Sequence, residues 1–373
     1  MGLSHSVDDA LQSAIDRGVC PGAVLLVRRR GRILHHRAYG RASLIPTARP
    51  ATLDTIYDLA SLTKPLATGT ALLCLVADGR ARLDEAVEVY LPALKGTPAG
   101  SVSLFHLLTH SAGLPWWRPF YEQIGERDRV QSGFLGSEKA KTLVLEAIGR
   151  EALESAPGTK SVYSDLGFIL LGFIVERLTG QAPPAYCRDR VYRAVEAEPL
   201  FYFGRDGMPS WGTVSPDFVA PTEQDPWRGR MLCGEVHDEN AYALGGIAGH
   251  SGLFGTAQAV AAVSGAWLNA YQGRPSPLSS EWVRRFVARQ DEISGTSWAL
   301  GWDTPSSPSS SGTRFSPKSF GHLGFTGTSL WVDPERELEV VLLTNRVHPS
   351  RENQAIRRLR PAIHDLIVES VAA

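Results

Sequence analysis

Ser61-Leu62-Thr63-Lys64-Pro65 places a hydroxyl and a primary amine three residues apart, just before an apolar run from Leu66 to Ala77. Proline has no N–H and is accepted only near the start of a helix. A helix over 66–77 must therefore begin near Ser61, with Gly79 as its stop. Side chains three apart on a helix share a face, so Ser61 Oγ and Lys64 Nζ can meet. They do so at the positive end of the helix dipole, which favours an oxyanion and disfavours an ammonium. A desolvated lysine there loses its proton more easily and can accept that of the serine, and the implied chemistry is acyl transfer through a serine nucleophile.

That pair alone proves little. With 32 serines and six lysines in 373 residues, chance supplies roughly half an S-x-x-K match. A capping serine beside a solvated lysine explains it equally well, so the argument depends on what the rest of the chain brings to the same place.

The elements that must position the pair are legible as hydrophobic periodicity. Residues 7–17 have helical spacing, and Pro21-Gly22 breaks it. Ala23–Arg28 reads as a buried strand, and Gly31 turns it into a second strand, Arg32–Tyr39. Ser329–Val332 and Leu338–Thr344 form another hairpin around Asp333-Pro334, and residues 351–371 close the chain as a helix. Strands lie at both ends and helices between them. The expected fold is α/β in the α+β sense: an antiparallel sheet flanked by helices and completed by both termini. Residues 1–80 with 241–373 would form this sheet domain, and 81–240 an inserted, mainly helical region with an irregular stretch at about 200–235. Within the insertion, Ser103 can cap a short helix over Leu104–His110. Tyr163-Ser164-Asp165 leads into Leu166–Leu178, which is apolar almost all round and reads as a core helix ended by Gly180. Helices are also expected at 138–149, 256–271 and 281–290, and the Ser/Pro-rich 305–319 reads as a mobile surface loop.

Three points line up in order: Ser61 with Lys64, Tyr163-Ser164-Asp165, and His322-Leu323-Gly324. With them come His106, His110, Gly113 and Pro115; Pro157-Gly158-Thr159; Gly249-His250-Ser251-Gly252; and Phe325-Thr326-Gly327-Thr328. Over most of its length the chain resembles the serine β-lactamase and penicillin-binding protein superfamily. It is most similar to the class C β-lactamase branch, with its family VIII esterases, D-peptidases and amidases. The resemblance implies Ser61 as nucleophile, Lys64 as its activator and Tyr163 as general base. A phenol titrates near 10 and needs a neighbouring cation to ionise, a part the resemblance assigns to Lys64. It further implies an oxyanion hole from the backbone N–H groups of Ser61 and Phe325, with Asp165, His322 and Gly324 at the substrate.

Two positions depart from the family pattern. Asp165 stands where Tyr-x-Asn has an amide, and His322 stands where β-lactamases carry a lysine that helps hold the β-lactam carboxylate. Both changes point away from an efficient β-lactamase. The register of the third motif has an alternative, Phe325-Thr326-Gly327, which would move the oxyanion donor to Thr328. The leading expectation is a carboxylesterase or an amidase/peptidase acting on small or cell-wall-derived substrates. The alternatives are a β-lactamase or D,D-carboxypeptidase, and an acyl-binding sensor that does not turn over.

Composition narrows the partners. A net charge of −1 gives no electrostatic footprint for nucleic acid, and no apolar run reaches the length of a membrane span. Met1–Ser6 has no apolar signal-peptide core, so a cytoplasmic protein is expected, periplasmic only if a leader has been trimmed; the same residues formally fit a myristoylation pattern. The expected partner is a small ester or amide, and nothing sets the oligomeric state. Cys20, Cys74, Cys187 and Cys233 are too scattered for a zinc ribbon, and Cys74 reads as a small core residue. His106 and His110 are four apart but lack the glutamate of H-E-x-x-H. No metal and no cofactor is expected. His237-Asp238-Glu239-Asn240 could bind a metal or line the pocket, with a hydrogen-bonded turn favoured. Trp116, Trp117, Trp211 and Trp227 are candidates to line the pocket or to pack the insertion.

Overall fold

The computed structural model describes residues 5–372, so the first four residues of the myristoylation pattern lie outside it. One antiparallel sheet holds β1 (Gly22–Arg29), β2 (Arg32–Ser43), β3 (Arg49–Pro50), β4 (Phe320–Leu323), β5 (Ser329–Asp333) and β6 (Leu338–Thr344), in the order β3-β2-β1-β6-β5-β4. The two terminal hairpins join where β1 pairs with β6, from Ala23 opposite Thr344 to Arg29 opposite Leu338. Both ends of the chain thus complete one sheet, as the strand pattern implies. β2 runs beyond the expected end at Tyr39 because Arg41 and Ser43 pair onto β3.

The helices that matter for the site are α1 (His5–Asp16), α2 (Thr70–Ala77), α3 (Asp165–Thr179), α4 (Ala257–Tyr271) and α5 (Ile356–Ala372). On one face of the sheet, Ala23, Leu25, Val27, Val340 and Leu342 pack against Val7 and Leu11 of α1 and Ile363 and Ile367 of α5. On the other, Val24, Leu26, Val341 and Leu343 join a larger core built with α2, α3 and α4. Successive strand residues face opposite sides, so a strand covered on both faces is apolar throughout. That is why β1 shows no alternation.

The segment leading into α2 begins where Pro65 requires, but its first turns are not α-helical. Residues 60–62 make a 3₁₀ turn and residues 64–69 a wider π-helical stretch. Pro65 has no N–H to give back to the preceding turn, and such irregular turns follow. Thr70 restores order by donating its hydroxyl to Pro65 O at 2.9 Å. Of the 60–77 stretch, apolar and long enough to cross a membrane, 89% is buried inside the protein. It is the central core segment.

The 305–319 segment differs from expectation. Ser311, Phe315, Ser316 and Ser319 are buried, because the hydroxyl-rich sequence finds carboxylates to bond. Ser316 Oγ donates to Asp333 Oδ1 at 2.7 Å, and Thr313 N donates to Asp365 Oδ1 at 2.6 Å. Composition alone suggested a solvated loop, whereas this one is tied to β5 and α5. The 200–235 stretch carries only the two-residue strands 200–201, 224–225 and 230–231, besides a single turn at 216–218.

Candidate active site

Ser61 is delivered by a short, tightly held segment. Tyr57–Asp58 pairs with Phe254–Gly255, and Leu59 N donates to Leu253 O at 2.9 Å. Ala60 then sits at φ 48°, in the left-handed region that costs a non-glycine residue about 1–2 kcal/mol. Asp58, 2% exposed, holds that conformation. Its Oδ1 accepts the Ala60 N–H at 2.8 Å and its Oδ2 accepts the His237 N–H at 2.7 Å. Thr63 Oγ1 closes the turn by donating to Ala60 O at 2.6 Å. The strain is local to the residue before the nucleophile, where the fold over-determines it.

Lys64 is fully buried. Its Nζ reaches Ser61 Oγ at 3.0 Å, His250 O at 3.1 Å and Asp165 Oδ1 at 2.7 Å. An ammonium has three protons, and each has an acceptor. The His250 carbonyl can lie there because loop 249–252 presses on α3. A Cβ at Gly172 would meet Gly249 N at 2.7 Å, so only glycine permits the approach. Burial, the largest single influence, pulls the Lys64 pKa down; Asp165 first, and Tyr163 beside it, more than reverse this, and the net shift is upward. Lys64 therefore rests as a cation. The expectation of a lysine neutralised by burial is overturned by Asp165.

Tyr163 Oη donates to Ser61 Oγ at 2.8 Å. Burial raises its pKa and Lys64 only partly opposes this, so Tyr163 rests as a phenol rather than the phenolate that the resemblance implies. Its ring is held by His110 (centroids 4.7 Å) and Trp298 (5.6 Å). His110 Nδ1 accepts the Ser164 N–H at 3.1 Å, and Ser164 Oγ donates to Pro115 O at 2.7 Å. Burial, helped by Lys64, drives the His110 pKa well below its ordinary value. His110 is a neutral support that fixes the start of α3, and His106 caps the helix Leu104–Leu108 through Ser103.

The third motif lies on β4 and the turn after it. Gly324 has no room for a Cβ beside Thr328 Oγ1 and Leu59 O. Thr326 Oγ1 donates to Asp58 O at 2.7 Å and Thr328 Oγ1 to Leu59 O at 3.0 Å, stitching the turn to the segment before Ser61. Ser61, Tyr163, His322, Gly324 and Phe325 line one cavity of about 600 Å³. Thr328 is fully buried and is not part of that wall, whereas His322, Leu323, Gly324 and Phe325 all line it. His322 is 3% exposed with Nδ1 2.7 Å from Leu323 O. Burial and Lys64 push its pKa down to about 3, so it is uncharged at neutral pH.

Asp165, assigned to substrate binding by the resemblance, faces Lys64 instead. The four tryptophans considered for the pocket are absent from the wall, which Trp298 supplies. Trp116 is largely exposed, while Trp227 packs edge-on against Tyr121 and Tyr242. His237-Asp238-Glu239-Asn240 is a hydrogen-bonded junction. Asp238 caps the helix Glu239–Ala243 and contacts His250 Nε2 at 2.9 Å, His237 meets Glu223 at 2.9 Å, and Glu239 pairs with Arg351 at 2.7 Å. Among the described residues, no group of three or more His, Cys, Asp or Glu could hold a metal. The sequence reading passed over Asp58 and Trp298. Asp58 had one available signal, a lone acid inside the otherwise apolar Ile56–Leu59; Trp298 had none.

Comparison with known proteins agrees with this geometry. The beta-lactamase family model matches residues 7–364. A putative D-alanyl-D-alanine carboxypeptidase of Escherichia coli K12 is 32% identical, with 92% of this chain and 82% of the relative covered. An N-acetylmuramyl-L-alanine amidase of Bacillus subtilis 168 is 34% identical, covering 92% and 81%. Among solved structures, EstCE1, a hydrolase with promiscuous acyltransferase activity, superposes with a TM-score of 0.73 at 22% identity over 97% of both chains. The octameric penicillin-binding protein homologue from Pyrococcus abyssi gives 0.72 at 20% identity, over 98% of this chain and 76% of that one. These two likenesses establish the shared fold, and the family match with the relatives above 30% identity establishes descent: the chain belongs to the beta-lactamase family of serine hydrolases.

Proposed function

We propose that this protein cleaves an amide or ester through an acyl-enzyme on Ser61, with small cell-wall-derived amides as the leading substrates. The observation that carries the reading is the convergence of Lys64 Nζ at 3.0 Å and Tyr163 Oη at 2.8 Å on one oxygen, Ser61 Oγ, at the wall of an open cavity. The names of the carboxypeptidase and amidase relatives favour an amide. An uncharged His322 disfavours a β-lactamase that relies on a cation at this position.

The resting state has a cationic Lys64, a carboxylate at Asp165 and a phenol at Tyr163. Lys64 Nζ first hands a proton to Asp165, and the amine so formed takes the proton of Ser61 Oγ as that oxygen bonds to the acyl carbon, so Lys64 ends the step charged again. The carbonyl oxygen becomes an oxyanion facing the amides of Ser61 and Phe325. Collapse expels the leaving group, which takes the proton of Tyr163 Oη, and Asp165 returns its proton through Lys64 to the phenolate. The net result is an acyl-Ser61, a protonated leaving group and the starting charges. Water repeats the cycle in the leaving group's place and releases the acid.

The test is a steady-state comparison of wild type and Ser61→Ala on a short-chain p-nitrophenyl ester, a chromogenic cephalosporin and a D-alanyl amide. Turnover that disappears with Ser61 supports the reading, and the preferred substrate ranks esterase, lactamase and amidase. Turnover that persists in Ser61→Ala refutes it.

A further inference from the structure

Among the described residues, Asp303 is the acid that lines the Ser61 cavity, and half of its carboxylate has no partner. Oδ1 accepts from Ser297 Oγ at 2.6 Å and from Thr304 N at 3.0 Å, which is enough to fix the turn that carries it. Oδ2 accepts from nothing, and no cation among the described residues pairs with the group. A carboxylate held out of water without a cation is costly. The nearest claim on it is that of Arg289, which lowers its pKa but is committed to Thr304 Oγ1 at 2.8 Å and to Pro305 O. Burial, the largest influence, pushes the Asp303 pKa up to about 6, so the group is charged at neutral pH.

The backbone sets this carboxylate beside an aromatic ring. Trp298 and Asp303 face each other across a short antiparallel turn, and Asp303 pairs in the same way with Gly321 on β4. Its N–H donates to Gly321 O at 2.8 Å, and its own carbonyl accepts from Gly321 N at 2.9 Å. Gly321 precedes His322, so Trp298, Asp303 and His322 are brought to one wall. The half-buried Trp298 ring lies 5.6 Å from those of Tyr163 and His322. His322 Nδ1 is 2.7 Å from Leu323 O. A carbonyl only accepts, so Nδ1 carries the proton and Nε2 is a bare acceptor, buried and without a partner.

A negative oxygen, a π face and a bare acceptor all complement one guest, a group with several N–H donors and a positive charge. The cavity's own cations stand elsewhere. Arg346, Arg357 and Arg360 approach from the end of β6 and from α5, and Arg360 is tied to Gly324 O at 2.6 Å and Gly327 O at 3.3 Å. None of the three is among the charges that move the Asp303 pKa.

We propose that Asp303 and Trp298 form an ammonium subsite in the Ser61 cavity, and that the substrate carries a primary amine away from its scissile bond. The word substrate rests on the hydrolase reading of Ser61, but the subsite itself does not need turnover. The ammonium donates one N–H to Asp303 Oδ2, sets its charge against the Trp298 ring and has His322 Nε2 as a further acceptor. A neutral ligand leaves Oδ2 unpaired and an anion meets like charge there, so the subsite selects by sign.

The experiment uses two probes of one size, benzylammonium and benzyl alcohol, which hold no bond for Ser61 to cleave. Binding to the wild type is measured by calorimetry. Benzylammonium is expected to bind at least about tenfold more tightly, the difference a charge-assisted hydrogen bond supplies. Asp303→Asn keeps an oxygen for Ser297 and Thr304, and the preference is expected to fall about tenfold in it. Trp298→Phe serves should Asp303→Asn not fold: benzylammonium is expected to quench wild-type tryptophan fluorescence and to lose most of that quench in Trp298→Phe. Equal binding of the two probes by the wild type overturns the subsite, as does a preference that survives Asp303→Asn or a quench undiminished in Trp298→Phe. Turnover is read separately: selective benzylammonium binding without Ser61-dependent cleavage of any ester or amide keeps the subsite and removes the hydrolase reading.

Discussion

Asp165 Oδ1 lies 2.7 Å from Lys64 Nζ, so the chain's departure from the family's amide at that position is a counter-ion beneath the nucleophile. Asp165 is the largest influence that holds Lys64 charged against the pull of burial, and an amide there would supply no such charge. The charge difference alters proton transfer rather than packing.

Asp165→Asn should therefore be a kinetic lesion. Without the carboxylate, burial dominates and the Lys64 pKa falls below its ordinary value. The relay also loses its acceptor, and kcat/KM should drop by about 10²-fold or more, the usual worth of positioned proton transfer. A pH-rate profile checks the cause: the variant should gain an ionisation below the ordinary lysine range that the wild type lacks. Wild-type kinetics in the variant would remove Asp165 from the proton path.

Tyr163→Phe separates the phenol's proton from the ring's support. The aromatic contacts to His110 and Trp298 remain, so the melting temperature should hardly move. Loss of the hydroxyl should slow acylation by about 10²-fold in single-turnover measurements. A large loss of stability with little loss of rate would make Tyr163 a packing residue.

Much of this site is legible before any coordinates. Ser61 and Lys64 are marked by spacing and by Pro65, which fixes where the helix starts; Tyr163 is marked by the family resemblance alone; and the two hairpins reveal a sheet shared by both ends of the chain. Side-chain aim is the part that spacing leaves open. Asp165 opens α3, and only the packing of α3 against residues 64–69 directs its carboxylate to Lys64 instead of substrate. Arg357 and Arg360, three apart on an amphipathic helix, look like an ordinary solvated face until the turn 324–328 is seen to bury one of them. The serines of 305–319 look mobile because their partners, Asp333 and Asp365, are distant in sequence.

Asp58 is expected to act at a distance from the chemistry. Removing its carboxylate in Asp58→Ala leaves the buried N–H groups of Ala60 and His237 without acceptors, at a cost of about 1–3 kcal/mol each. The left-handed turn at Ala60 then loses its restraint, and Ser61 should lose alignment. Asp58→Ala should lower both kcat/KM and the unfolding free energy, whereas Asp58→Asn, which keeps one acceptor oxygen, should recover part of each. Denaturant unfolding and steady-state kinetics on the two variants decide it; normal kinetics in a destabilised Asp58→Ala would confine the residue to folding.

Buried neutral histidines should make the protein acid-labile. Burial brings the His322 pKa down to about 3 and that of His364 to about 4, while His110 is also held well below its ordinary value. In the unfolded chain each titrates near 6.5. The native state therefore refuses protons that the unfolded state accepts. Stability is fully present above about pH 6.5 and is lost as the pH falls toward the native pKa, at about 1.4 kcal/mol per pH unit for each histidine. His364 isolates the effect because it lies outside the Ser61 cavity wall, on α5, with its Nδ1 2.9 Å from Ser310 O. Between about pH 7 and about pH 5, the decline in unfolding free energy should be about 2 kcal/mol smaller in His364→Gln than in the wild type. Carboxylates titrate alike in both proteins and cancel in this difference. Parallel declines in the two proteins would show that His364 accepts its proton in the native state.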